Sequence, residues 1–437
     1  MKFVSKFALA LSVSALTVVS AANAFQEKPA KAKKGKEAAP PKKNYSKPFI
    51  AAYAPAVDAL NKKKDVAAAK TLLPAVIAAI QNDDDRYEAG IFAINVGAQL
   101  KDFVIQEQGI DLMLASASTP SDIKTQYMFQ KGAIAYDGKR YADAEKHMTA
   151  AYNMGHRKNN IEYLISTSQS QQGRDKDAMV WLAKAIDSSK GSAELQKPYM
   201  VRAAVLSAKA KDYAGAANWY KQLLKAENNP DYWHDSLAYF DRSLTFNPEE
   251  SLDLMRLMRT VQGLRFQQEY SQYLESLSYI GVRYPAEAVA VLDEGFAKGV
   301  ISRNNVSFSE RYAEAKARLA EDTATLAGTA GPARAPNARP ILASLTADSF
   351  YSHGNYQTAK ELYDSALKKG PVLDKDGKDQ TDRTRFRLAM SKAMLGDYTG
   401  AKADFAMLTG ANRKAIAEYW TLYIDQKSGG AAAPVAG

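Results

Sequence analysis

The chain of 437 residues contains no cysteine. Disulfides, thiolate metal sites, a cysteine nucleophile and a lipidated N-terminal cysteine are therefore excluded. Histidine is scarce as well. His147, His156, His234 and His353 are the only four, and they show no metal-ligand spacing with one another or with carboxylates. Long apolar runs are missing too: beyond the N-terminal segment nothing approaches the ~20 apolar residues that a membrane-spanning helix needs. A phosphate loop is absent. Gly132 and Gly138-Lys139 are separated by five residues instead of four, and Arg140 stands where Ser or Thr is required. No cofactor is expected.

Basic charge is plentiful only at one end. The formal net charge is +10. Lys2 and Lys6 carry two of these charges, and residues 25–48 hold eight Lys against two Glu. Residues 49–437 are left with +2, too little for a nucleic-acid groove on the folded part. Residues 1–24 have a basic start, an apolar run from Phe7 to Val19, and Ala22-Asn23-Ala24 as a small-x-small cleavage site. This pattern predicts a signal peptide of bacterial appearance cut after Ala24, and a protein of the periplasm or exterior. Residues 25–48, rich in Lys, Ala and Pro, cannot bury enough apolar surface to order themselves and read as a disordered linker. Their lysines could also touch an anionic envelope surface, each adding on the order of 1 kcal/mol.

The rest of the chain repeats itself. GDYTGAKADFAML (396–408) places Ala401, Phe405 and Leu408 at i, i+4 and i+7, one helical face. The same figure recurs at Ala359/Tyr363/Ala366, Ala216/Tyr220/Leu223 and Ala144/Met148/Ala151. Degenerate versions stand at Ala69/Leu73/Val76, Gln106/Ile110/Met113, Ala178/Leu182/Ala185 and Ala288/Leu292/Gly295. From Ala144 to Ala178 is 34 residues, from Gln106 to Ala144 and Ala178 to Ala216 is 38, and from Ala359 to Ala401 is 42. Twelve and nine residues before an anchor stand such pairs as Gly132/Ala135 and Ser166/Gln169. One unit therefore reads as helix, short turn, helix, with small residues where the two helices cross.

This unit resembles the tetratricopeptide repeat, a 34-residue helix–turn–helix with a Gly-x-Tyr turn and Ala-x3-aromatic-x2-Ala in its second helix. The resemblance implies an all-α fold, an α-α superhelix or right-handed solenoid, in an exported bacterial protein. It also implies that the first helices of successive repeats line a concave groove for a partner. By register that groove would present Phe129, Tyr136, Asn160, Tyr163, Tyr270, Tyr273, Tyr351 and Phe386, although each of these aromatics could instead pack between repeats. The Lys/Asn clamp that some members close on a C-terminal carboxylate has no counterpart at Phe129 and Ala133.

In chain order, residues 49–327 form an N-terminal array with helix pairs near 50–80, 87–115, 125–155, 159–188, 197–227, 231–260 and 269–300. An extra helix, 304–327, ends it. The pair at 231–260 is expected to be atypical, because Glu250 falls where the small residue belongs and Asn247-Pro248 looks like a capped helix start. GTAGPARAPNARP, 328–340, reads as a loop. Residues 341–428 hold two further repeats and an end helix near Asn412–Gln426, and residues 429–437 a disordered tail. Asp374, Asp376 and Asp379 begin like a calcium loop, but Asp379 replaces the turn glycine and Arg385 the bidentate Glu.

Enzymatic readings find little support. Glu250-Ser251 and Glu275-Ser276 share the Glu-Ser of lytic transglycosylases without that family's downstream motifs, and no room is left for a catalytic domain. The expected function is that of a non-catalytic exported scaffold that binds a partner protein or peptide. The alternative is an envelope-tethered module that holds cell-wall or outer-membrane material through residues 25–48.

Overall fold

The computed structural model describes residues 43–278 and 284–429. The expected signal peptide, most of the expected linker and nearly all of the expected C-terminal tail lie outside the described residues. The helices are α1 (Lys47–Asn61), α2 (Val66–Ala78), α3 (Asp83–Leu100), α4 (Phe103–Ala115), α5 (Ser121–Asp137), α6 (Tyr141–Asn153) and α7 (Ile161–Gln171). They continue as α8 (Asp175–Ser188), α9 (Ala193–Lys209), α10 (Tyr213–Ala226), α11 (Pro230–Ser243), α12 (Pro248–Thr260), α13 (Gln267–Ser278) and α14 (Pro285–Ala297). The last six are α15 (Val306–Arg334), α16 (Pro340–Ser352), α17 (Tyr356–Lys368), α18 (Thr381–Met394), α19 (Tyr398–Ala406) and α20 (Ala411–Lys427). The described residues contain no strand, only an isolated antiparallel bridge between Leu373 and Asp379.

The repeat pattern falls where the packing needs it. The anchors Ala69, Ala144, Ala178, Ala216, Ala359 and Ala401 are completely buried. A recurrent turn joins the two helices of a hairpin. Five residues before each of seven anchors, Gln106 among them, the backbone takes positive φ, at Lys64, Lys101, Lys139, Gly173, Lys211, Gly354 and Gly396. Glycine tolerates that conformation freely, whereas a Cβ there costs roughly 1–2 kcal/mol. The next residue often caps the second helix. Asp65, Asp102, Asp212, Asn355 and Asp397 accept from the backbone N–H three residues on, at 2.9–3.2 Å.

Two compact units divide the chain, one ending at Trp181 and the other beginning at Leu182. In the first, glycine sets how closely helices approach. A Cβ built on Gly132 would lie 2.6 Å from Met148 Cγ, and one on Gly109 2.7 Å from the Gly90 carbonyl. Gly97 meets Gln106 while Gly90 meets Met113, so α3 and α4 run antiparallel. Ion pairs then step along the second helices: Lys70 with Asp102 at 2.9 Å, Glu107 with Arg140, and Glu145 with Arg174. Each joins the residue after one anchor to the residue just before the next second helix. Such exposed pairs contribute only about 0.2–1 kcal/mol each. The start of α3 does more than oppose the helix dipole. Asp84 accepts from Asn44 N–H at 2.8 Å, and Asp85 accepts from Ser46 N–H and Oγ at 3.0 and 2.7 Å. Residues 43–48 are thus held, and the expected linker ends before them.

In the second unit α12 starts as its sequence indicated, with a capping box between Asn247 and Glu250 and Pro248 in the first turn. The expected loop 328–340 needs correction, because α15 continues to Arg334 through Gly328, Gly331 and Pro332. Tertiary contacts override the local breakers there. Ala330 and Ala333 are buried, and Lys369 Nζ donates to the Ala333 and Ala335 carbonyls at 3.2 and 2.8 Å, which caps the helix end. The end helix α20 is more than a terminal cover. Its Tyr419, Trp420, Leu422 and Ile424 are buried. Tyr419 packs on Trp233 and Phe240 of α11, and Asn412 donates to the Thr245 carbonyl at 3.0 Å. The second unit therefore closes on itself.

Candidate functional sites

The first unit carries half-buried tyrosines on its first helices in two sets on opposite faces of α5: Tyr87 on α3 with Tyr127 on α5, and Tyr136 on α5 with Tyr163 on α7. Tyr87 and Tyr127 lie within electrostatic reach of each other, as do Tyr136 and Tyr163. Burial raises the phenol pKa of Tyr127 and Tyr136, so both stay neutral and present a hydroxyl. Asn160 is exposed in the turn before α7. Phe129, expected in this groove, is instead buried and stacks on His156 with ring centroids 4.4 Å apart.

The second unit is organised by charge. Arg387 is fully buried, and donates through Nε to Asp253 at 2.9 Å, through Nη1 to Asp348 at 2.8 Å, and through Nη2 to Glu249. Arg383 reaches Asp348 and Glu249, Arg413 reaches Asp253 at 3.2 Å, and Arg256 forks onto Glu287 at 2.9 and 2.7 Å. Four arginines thus meet four carboxylates, drawn from α12, α14, α16, α18 and α20. Burial pushes the Glu249 carboxyl up, but Arg387 and Arg383 outweigh it and hold its pKa down at about 2. Asp348 is lowered in the same way, and Tyr363 donates to it.

Beside this network opens a cleft of about 870 Å³. Arg256 and Arg259 of α12 line it with Tyr273 of α13, Glu287 and Glu294 of α14, and Tyr351 of α16. Tyr273 donates to Glu287 at 2.7 Å, and the Arg256 guanidinium lies 4.6 Å over the Tyr351 ring. Tyr273 and Tyr351, both expected in a groove, therefore share one wall, although each is mostly covered. Tyr270 is wholly buried with its ring against Gly295, and Phe386 is wholly buried against Phe405. Five of the eight expected groove residues are thus packing residues by exposure: Phe129, Tyr270, Tyr273, Tyr351 and Phe386. The physical reason is hairpin geometry, which turns much of each first helix inward. Sequence reasoning missed Arg256 and Arg259. Their signal was two basic residues at i, i+3 on a helix that otherwise supplies Leu and Met to the core.

The other candidates resolve locally. Asp374 is occupied by its own loop, accepting from the N–H groups of Asp376 and Lys378 at 2.9 Å and from Gln380 Nε2 at 3.0 Å. No cluster of His, Asp and Glu among the described residues is placed to hold a metal ion. His234 bridges Asp235 and Glu269 at 2.9 and 2.7 Å. Burial lowers its pKa, but these two bonds win and raise it to about 9, so it stays protonated at neutral pH.

Anchor alanines, the recurrent positive-φ turn and antiparallel pairing at small-residue crossings together define the hairpin. The fold is of the tetratricopeptide-repeat type. Neither the family models nor the curated proteins give a match to this chain. Among solved structures, tetratricopeptide-type neighbours include pilF of Pseudomonas aeruginosa, 16% identical over 53% of this chain and 91% of its own, with a TM-score of 0.25. A tetratricopeptide repeat protein from Parabacteroides merdae is 12% identical over 77% and 98%, with a TM-score of 0.29. The TPR2AB domain of yeast Sti1, in complex with an Hsp90 peptide, is 15% identical over 71% and 99%, with a TM-score of 0.22. At such TM-scores the assignment rests on the hairpins themselves. No helix among the described residues is long and apolar enough to cross a membrane.

Proposed function

We propose that the protein is an exported, non-catalytic scaffold that binds a partner protein or peptide on the first-helix face of its first unit. The tyrosine row formed by Tyr136 on α5 and Tyr163 on α7 carries this reading. Tyrosine offers large contact area at low entropic cost, and half-buried rings are already held in place for a partner. The signal-like N-terminus supports export, to the periplasm or outside the cell. A second reading rests on the charge imbalance of residues 25–48: the chain is an envelope-tethered module that holds cell-wall or outer-membrane material through this segment.

One experiment separates the two. A photo-reactive residue at the exposed Asn160 is used to cross-link partners in envelope fractions, in the otherwise wild-type chain, in Tyr136→Ala/Tyr163→Ala, and in a chain lacking residues 26–42. The scaffold reading expects a discrete protein adduct that persists without the tail. It also expects the double variant to lose the adduct with an affinity drop of ~2 kcal/mol, typical of a buried interface tyrosine, while its melting curve stays in place. An adduct that vanishes with the tail and survives the tyrosine changes would favour the tethered module.

A further inference from the structure

The cleft of the second unit is independent of the tyrosine row and has its own chemistry. Its cations, Arg256, Arg259 and Lys298, outnumber its anions, Glu287 and Glu294, by one. Several guanidinium donors there are unused. Arg256 spends Nε and Nη2 on Glu287, but its Nη1 is buried without a hydrogen-bond partner. The acceptor beside that nitrogen, Asp253 Oδ1, is 3.9 Å away and already accepts from Arg387. Arg259 donates only through Nε, to Glu294 at 2.7 Å. Its Nη1 and Nη2 meet no protein acceptor among the described residues, and the side chain is about one-third exposed. Buried donors without acceptors are unfavourable, and the group that satisfies an arginine fork best is an oxyanion.

The remaining surface is suited to an apolar body. Tyr351 and Tyr356 pack edge to face with centroids 5.0 Å apart, and Leu319 and Met394 add aliphatic surface. Ala286 and Ala290, one turn apart on α14, leave space where larger side chains would fill it. A volume near 870 Å³ falls within the range of sites that enclose small organic ligands, roughly 300–1,000 Å³. A bare inorganic anion would leave most of it empty. We propose that this cleft is a binding site for a small organic anion, a ring or other apolar body bearing one carboxylate or phosphate. The oxyanion takes the free Nη donors of Arg259, and the body lies against Tyr356, Leu319 and Met394. This site goes beyond the scaffold reading and stands or falls separately from it.

The test uses calorimetric titration of the full mature chain with five probes: phenyl phosphate, benzoate, inorganic phosphate, benzyl alcohol and an acidic hexapeptide containing Glu and Tyr. At least one of the first two is expected to bind, and whichever binds more tightly identifies phosphate or carboxylate as the anchor. Inorganic phosphate, lacking the body, and benzyl alcohol, lacking the charge, should each bind at least about tenfold more weakly. Arg259→Gln should weaken the organic anion about tenfold, the loss of a charge-assisted contact. Ala290→Leu should fill the cleft and abolish binding. Thr323→Trp does the same from an exposed position of α15, in case the α14 change disturbs folding. The proposal is overturned if neither organic anion binds, if Arg259→Gln and Thr323→Trp leave binding unchanged, or if only a Glu/Tyr-containing acidic hexapeptide binds. The last outcome would assign the cleft to a polypeptide segment. The tyrosine-row cross-link should be unaffected throughout, so its loss would count only against the scaffold reading.

Discussion

The two units use one hairpin in two ways. The first stacks hairpins through small residues, with glycine at the crossings and exposed ion pairs along the second helices. Each contact there is local, between neighbours in sequence. The second adds contacts between distant parts of the chain, since Arg387 reaches Asp253 and Glu249 across more than a hundred residues. The repeat motif settles how a hairpin is built and leaves open whether an array stays open or closes. That choice belongs to side chains outside the motif. In the second unit they are buried charges, which add little net stability over an apolar core but penalise any arrangement that separates them.

The largest expected effect tests this contrast at its centre. Asp348→Ala leaves Arg383 and Arg387 with an uncompensated charge in the interior, a loss of about 3–5 kcal/mol. Native-state hydrogen exchange should show early opening of α12, α16 and α18, with α1 to α6 unchanged. If the loss spreads evenly over both units, the division into local and long-range architectures is wrong.

A smaller effect is expected from Gly132→Leu in the first unit. Met148 already fills the space a side chain would enter, and overpacking of this kind typically costs about 1–3 kcal/mol. Part of the loss should pass to the neighbouring hairpins through their shared faces. Urea melts followed by exchange in α3 to α7 would read it, and coincident curves for variant and wild type would remove glycine from its assigned role.

The smallest effect has the opposite sign. Lys139→Gly relieves a positive-φ strain where other repeats of this chain already use glycine. The gain should be about 0.5–1 kcal/mol, less than the full strain because glycine also enlarges the unfolded ensemble. Lys101→Gly should behave alike. A loss of stability at both would mean that these lysine side chains contribute more than the strain costs.

Much of the fold was legible in the sequence because hairpins are local. An anchor that is alanine in all but one copy, followed by a large apolar group at i+4 and a smaller or apolar one at i+7, marks each of these second helices almost independently of context. The site was less legible, for two reasons. Phe386 and Tyr270 look like groove residues by register, but whether a first helix shows a given face depends on what the chain brings back against it. Arg383 and Arg387, one turn apart on α18, and Glu249 and Asp253, one turn apart on α12, form complementary pairs. Nothing in either helix names the other as its partner. The run 328–334 failed differently: its glycines and proline argue for a break, and the burial of Ala330 and Ala333 with the Lys369 cap outweighs them.

The link from Arg387 to Asp253 also bears on how such a chain can change length. Duplication or loss of a hairpin in the first unit alters only the number of neighbour contacts, so that region can grow or shrink one repeat at a time. Between α12 and α18 the count is constrained like the number of staves in a barrel. One hairpin more or fewer would carry the two arginines away from their carboxylates and α20 away from α11. Repeat number in related chains should therefore drift before residue 182 and stay constant after it.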